Sequence, residues 1–152
     1  MTPQSLDHAG IADRIPHSGS MCVLHRLLSW SDSEIVCSAV SHRDPVNPMR
    51  SASGLLAPVL IEYAAQAMAL HGGLVAPPGQ PPSPGYLASV RGVRFGLARI
   101  DDVEGELLVR AQRLAGDDRQ VMYSFAVRSE QGQVLAEGRA TVVLNTPLPP
   151  SA

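Results

Sequence analysis

Glu62 and Gln66 are the residues whose placement most strongly suggests chemistry. Tyrosine apart, they are the two strongly polar side chains in LLAPVLIEYAAQAMAL, the sixteen residues from Leu55 to Leu70. Four apart, they project from one stripe of a helix whose other faces are apolar. A helix apolar all round is a buried helix, and burying a carboxyl and a carboxamide costs several kcal/mol unless partners are supplied. An ionisable group kept where it is costly is a candidate acid or base. The expectation is a largely buried Glu62 whose carboxyl faces a tunnel. The plain alternative is a core helix whose glutamate pairs with an arginine. The run is too short and too interrupted to span a bilayer.

Composition removes several other chemistries. The chain has 152 residues, is 45% hydrophobic and carries a net charge of −2, which suits one domain with one core and gives no basic excess for nucleic acid or an anionic membrane. All 12 basic residues are arginine, so Schiff-base chemistry and a Walker-type phosphate loop, both of which need lysine, are excluded. Cys22 and Cys37 have no further cysteine or histidine at zinc-finger spacing, so no metal site is expected and both read as small buried hydrophobes. MTPQSLDHAG lacks the basic start and apolar centre of a secretory signal, and the default expectation is the reduced cytoplasm.

The elements that must position Glu62 follow from the pattern along the chain. A turn of helix is expected at Leu6 to Ala12, in an otherwise frayed stretch 1–13. Met21–Trp30 and Glu34–Ser41 read as a hairpin turning at Ser31-Asp32-Ser33. A polar loop with Pro45 and Pro48 leads to the helix, which is expected to start near Leu55 to Pro58 and to stop at Gly72 and Gly73. APPGQPPSPG at 76–85 holds five prolines and two glycines and reads as a mobile connection. Four further strands follow, Tyr86–Phe95, Gly105–Leu114, Arg119–Arg128 and Gln133–Leu144, expected as a consecutive antiparallel meander, and 146–152 reads as a frayed tail. The fold class is therefore α+β: one domain over 1–152, a long antiparallel sheet curled around one apolar helix, the arrangement called a hotdog fold. A long apolar sheet edge calls for a second subunit.

Several motifs resemble the β-hydroxyacyl-acyl-carrier-protein dehydratases. Glu62-Tyr63-Ala64-Ala65-Gln66-Ala67 is similar to that family's helix motif Glu-Ala-Met-Ala-Gln-Ala, with glutamate and glutamine in the same register. Ile15-Pro16-His17 running into Met21-Cys22-Val23-Leu24-His25-Arg26-Leu27-Leu28 resembles its Leu-Pro-His-Arg-Tyr-Pro segment and the Leu-Leu-Val-Asp-Arg-Val strand after it. Tyr86 to Phe95 and Leu135-Ala136-Glu137-Gly138 resemble later strands, so the likeness covers roughly residues 14 to 144. The family's Gly-His-Phe-Pro-Gly loop has no counterpart: counting back from Glu62 places its histidine at Asn47-Pro48. That departure resembles a divergent subgroup of 3-hydroxyacyl-carrier dehydratases, similar to the paired dehydratase subunits of aryl polyene pathways.

The resemblance implies the removal of water from a 3-hydroxyacyl thioester on acyl carrier protein or coenzyme A, in fatty acid, aryl polyene or polyketide-like synthesis. In such chemistry a histidine takes the α-proton, the helix carboxyl handles the hydroxyl and the helix glutamine supports both. Carried over, the catalytic candidates are Glu62 with His17 or His42, or a histidine from a partner. Asn47 and Gln66 are expected at the substrate, and Arg91, with Arg94 and Arg99, at the phosphopantetheine or an acidic carrier surface. The expected partner is a second hotdog subunit, identical or different, and no cofactor is expected beyond the phosphopantetheine that the substrate carries. A hotdog thioesterase, and a silent subunit that stabilises an active partner, are the competing readings.

Overall fold

A computed structural model describes residues 3–17, 19–77, 79 and 85–144. Its elements are α1 (His8–Ala12), β1 (Arg26–Trp30), β2 (Glu34–Ala39), α2 (Leu60–Val75), β3 (Gly85–Phe95), β4 (Leu107–Gly116), β5 (Gln120–Arg128) and β6 (Val134–Leu144). Six antiparallel strands form one sheet around α2, the expected hotdog arrangement. Residues 78 and 80–84 of the proline-rich connection and the tail from 145 onward lie outside the described residues.

Strand alternation decides which side chains meet the helix. Leu107, Val109 and Ala111 of β4 and Val121, Tyr123, Phe125 and Val127 of β5 are buried while their neighbours face outward, the period of two expected of a half-buried sheet. They close on Leu60, Ala64, Ala67, Leu70 and Leu74 of α2, which recur at helical spacing. The helix is introduced by a 3₁₀ turn, Ala57–Val59, in which Pro58 supplies a preset φ and lacks only an N–H that no helical partner would take. It runs through Gly72 and Gly73 to Val75 instead of stopping at the glycines. Leu74 is only 4% exposed, and its burial outweighs the roughly 1 kcal/mol by which each glycine disfavours a helix.

Three further expectations are corrected. The strand order is β1-β2-β4-β5-β6-β3, so only β4 to β6 form a meander and β3 lies at the far edge against β6. Both sides of β4 are taken, by β2 and β5, and the chain after β3 must cross past the start of α2, where Ala57 N–H donates to Ala98 O and Ile100 N–H to Leu55 O. The helix is not enclosed all round, because Glu62, Ala65 and Gly73 are half-buried and Ala69 and Gly72 are exposed. The N-terminal stretch is fastened rather than frayed from Pro3 onward. Leu27 N–H donates to Leu6 O, Trp30 Nε1 donates to Pro3 O at 2.7 Å, and Ile11 is fully buried.

Two histidines are sealed in the interior. Hydrogen bonds join His71 Nδ1 to the Tyr123 hydroxyl and His71 Nε2 to the Ser31 carbonyl, each at 2.8 Å. The carbonyl can only accept, so Nε2 carries the proton and Nδ1 accepts from the tyrosine. Burial lowers the pKa of His71 and of His42, against the opposing pull of their carbonyl partners, and pushes Tyr123 up to about 12. The unfolded chain therefore binds protons below pH ~6.5 that the folded chain refuses, so stability is complete above that pH and falls as pH drops through it. Thermal denaturation should show the melting temperature declining from pH 6.5 to 5. The slope should be shallower in His71→Gln, which keeps a donor and an acceptor but takes no proton. Equal slopes would remove His71 from the acid response.

Candidate active site

Gln66, fully buried, fastens the segment before β1 to the helix. Its Oε1 accepts from Val23 N–H at 2.9 Å, and its Nε2 donates to Met21 O at 2.8 Å and to Glu62 Oε1 at 3.0 Å. One carboxamide therefore fixes the register of the 21–23 backbone and aims the glutamate one turn away. The same segment brings His17 to the helix: its Nε2 lies 2.9 Å from Glu62 Oε1, with side-chain exposures of 28% for the histidine and 36% for the glutamate. Glu62 is thus half-exposed, not largely buried as expected, because the face of α2 that carries it is uncovered in the single chain. Its partners are His17 and Gln66, and no arginine pairs with it among the described residues.

The pair has spare capacity. Glu62 Oε1 receives both hydrogen bonds, and Oε2 receives none among the described residues. His17 Nδ1 is buried without a hydrogen-bond partner. A carboxyl hydrogen-bonded to an imidazole, with its second oxygen unengaged on a half-exposed side chain, can exchange a proton with a third molecule at that oxygen.

The other candidates are placed elsewhere. His42, fully buried, is bonded through Nε2 to Val103 O at 2.9 Å and makes no hydrogen bond to Glu62. The 41–43 segment folds as a 3₁₀ turn that sends its ring into the core, so its catalytic role is not supported by position. Asn47 Nδ2 donates to Ser41 O at 3.0 Å and to the Tyr63 hydroxyl at 3.2 Å, and Oδ1 accepts from Met49 N–H. With both amide hydrogens and the oxygen engaged, it pins the loop before the helix rather than presenting a free amide. Arg99 clasps Asp101, which also accepts from Leu55 N–H; the guanidinium holds that carboxyl well below the usual range. Arg91 and Arg94 stand on the outward face of β3, on the other side of the sheet from the helix.

Sequence reasoning missed Ser41 and the part played by Tyr63. The Tyr63 hydroxyl meets Ser41 Oγ at 2.8 Å, and Ser41 Oγ donates to Val23 O at 2.7 Å. Val23 is thereby held from both sides, by Gln66 and by Ser41. A cleft of about 280 Å³ opens between the 19–25 and 40–48 segments, lined by Ser20, Val23, Ser41, Asn47 and Pro48 among others. Tyr63, a polar residue in an apolar helix three residues before Gln66, was the available signal.

Comparison with solved structures gives the same architecture. The dehydratase heterocomplex ApeI:P from Xenorhabdus doucetiae superposes with a TM-score of 0.77 at 26% identity, over 89% of this chain and 91% of that one. Thioesterase HI1161 from Haemophilus influenzae (TM-score 0.66, 13% identity, 91% and 90% coverage) and zebra fish thioesterase superfamily member 2 (0.63, 15%, 92% and 99%) share the hotdog fold. No curated protein is significantly similar in sequence. The family model for the ApeP dehydratase matches residues 9–149, nearly the whole length, and the chain belongs to the ApeP-like dehydratase family.

Proposed function

We propose that this chain is a subunit of a 3-hydroxyacyl thioester dehydratase in aryl polyene synthesis, acting on an acyl group carried by acyl carrier protein, with Glu62 and His17 as its acid/base pair. The observation that carries this is the 2.9 Å contact between His17 Nε2 and Glu62 Oε1 on the open face of α2. In the reaction the C2–H and C3–O bonds break, a C2=C3 double bond forms and water leaves, while the thioester stays intact. One member of the pair takes the α-proton and the other protonates the departing hydroxyl, so the two need only one shared proton between turnovers. Gln66 positions Glu62, which in turn holds His17 Nε2. No helix among the described residues is long and apolar enough to cross a membrane, and two free, buried cysteines suit a reduced cytoplasm.

A second hotdog subunit is part of the proposal. The free edge of β3, eleven residues long, has no described residue that is fully buried, and the helix face around Ala65, Ala69 and Gly72 stands open. Both are surfaces that a partner sheet and helix would cover. The relative from Xenorhabdus doucetiae is itself a heterocomplex, which favours a different subunit over a second copy. Asn47, locked where the resembling family keeps a histidine, supports a further reading in which this chain is silent and its partner does the chemistry.

The test is dehydration of a 3-hydroxyacyl carrier-protein thioester by the chain alone and with a second hotdog subunit, followed by mass spectrometry of the acyl group. A trans-2-enoyl product that disappears in His17→Asn supports the pair. A product retained in that variant assigns the chemistry to the partner, and release of free carrier thiol identifies a thioesterase. Light scattering of the same samples should give no stable monomer at micromolar concentration, and a monomer would overturn the second-subunit requirement.

A further inference from the structure

Tyr63 is fully buried one residue after Glu62, and its hydroxyl belongs to a chain of hydrogen bonds that leads back to that glutamate. Asn47 Nδ2 donates to the hydroxyl at 3.2 Å, the hydroxyl lies 2.8 Å from Ser41 Oγ, and Ser41 Oγ lies 2.7 Å from Val23 O. The Val23 carbonyl can only accept, so the single Ser41 proton goes to it and Ser41 must accept from Tyr63. Burial raises the pKa of Tyr63 against the opposing pull of Ser41 and Asn47, which keeps the phenol a donor at neutral pH. From Val23 the chain continues: its N–H donates to Gln66 Oε1 at 2.9 Å, and Gln66 Nε2 donates to Glu62 Oε1 at 3.0 Å.

Residues 22–25 belong to no helix or strand, so their place depends on individual contacts. Both polar groups of Val23, a residue 2% exposed, are bonded to side chains. Gln66 alone would leave the segment free to pivot about one anchor. Ser41, on the 3₁₀ turn Ser41–Arg43, supplies a second anchor from another element, and Tyr63 fixes Ser41. At about 100° per residue, Gln66 falls about 40° round the helix from Glu62 and Tyr63 about 100°, so both holds originate on the arc beside the glutamate. His17, which precedes this segment in the chain, meets Glu62 Oε1 at 2.9 Å where the segment delivers it.

We propose that Tyr63 is a positioning residue for the Glu62–His17 pair: through Ser41 it fixes the backbone segment that brings His17 to the glutamate. The role rests on the dehydratase reading, which makes that pair the acid and the base. A positioned group displaced by about 1 Å can cost about a hundredfold in rate. Phenylalanine at 63 removes the donor to Ser41 and the acceptor for Asn47 while keeping the ring, so the core stays filled and the second anchor loosens. Neither Glu62 nor His17 is altered, so the loss belongs to kcat rather than to KM.

The test uses the chain with its hotdog partner and a 3-hydroxyacyl carrier-protein thioester. In Tyr63→Phe and in Ser41→Ala kcat should fall at least about tenfold, with KM within about twofold. The double variant should fall about as far as the larger single effect, because both changes break one link. Ser41→Thr, which keeps the hydroxyl, should recover most of what Ser41→Ala loses. Tyr123→Phe is the matched control: it removes another buried hydroxyl, the one bonded to His71, and should lower the melting temperature while leaving kcat as in the unaltered protein. Hydrogen exchange in the 19–25 segment should quicken at least about tenfold in Tyr63→Phe and Ser41→Ala and not in Tyr123→Phe. Unchanged kcat in both single variants would overturn the proposal, as would an equal fall in Tyr123→Phe or losses that multiply in the double variant. If the unaltered complex leaves the thioester intact, the dehydratase reading fails, and the exchange rates still decide the anchor: a segment whose exchange Tyr63→Phe does not move is not held by Tyr63.

Discussion

Glu62→Gln should lower dehydration of a 3-hydroxyacyl thioester at least about a hundredfold, the usual contribution of one general acid or base, with little change in melting temperature. Glutamine keeps the length of the side chain and an oxygen that accepts from His17 Nε2 and Gln66 Nε2, so the two contacts to Glu62 Oε1 survive. It cannot take or release a proton at neutral pH. The variant therefore separates proton transfer from packing at a position where the side chain is 36% exposed and packing contributes little. Single-turnover rates measured with the partner subunit present, alongside thermal melts, check both halves. Undiminished turnover would remove Glu62 from the mechanism.

Gln66→Leu should cost both stability and activity, for a reason that has nothing to do with proton transfer. Leucine fills similar volume but leaves Val23 N–H, on a residue 2% exposed, without its acceptor. A buried donor stripped of its partner costs about 1–3 kcal/mol. Met21 is 49% exposed, so its carbonyl can turn to water and adds little. For a chain of this size that corresponds to a fall of roughly 3–10 °C in melting temperature. Gln66→Glu is the informative companion. It keeps an acceptor for Val23 N–H but sets a second carboxylate beside Glu62, which raises the pair's titration and should move the acid limb of the pH–rate profile upward. A profile unmoved in Gln66→Glu would show that Gln66 holds the backbone without touching the acid/base pair.

Much of this was legible along the chain, and the parts that were not share a cause. Glu62 and Gln66 were readable because helical spacing is local: four residues place both on one stripe before any fold is known. The alternation in β4 to β6 was local in the same sense. The place of β3 was not, because an edge strand reads the same whichever neighbour it pairs with, and here the neighbour is β6 rather than β4. His17 and His42 looked alike as loop histidines. What separated them was a strap fixed by Gln66, 45 residues or so from the loop it holds, and a 3₁₀ turn that drives the His42 ring to Val103 O. Arg91 and Arg94 were assigned to a carrier without any hint that both share a face, although a glycine inside a strand pattern is the ordinary sign of a bulge.

The position of β2 against β4 sets the tempo at which this molecule can form. The ladder from Glu34↔Gln112 to Ala39↔Leu107 joins segments roughly seventy residues apart, with the whole of α2 threaded between them. Contacts of that sequence separation place such a domain among folders on the millisecond-to-second scale. On the ribosome, at about 5–20 residues per second, the first hairpin and the finished helix wait some seconds for β4 to emerge. During that interval Leu60, Ala67, Leu70 and Leu74 have only the first hairpin to lie against and lack β4 and β5. The nascent N-terminal half is therefore the stage at which this chain most needs a chaperone.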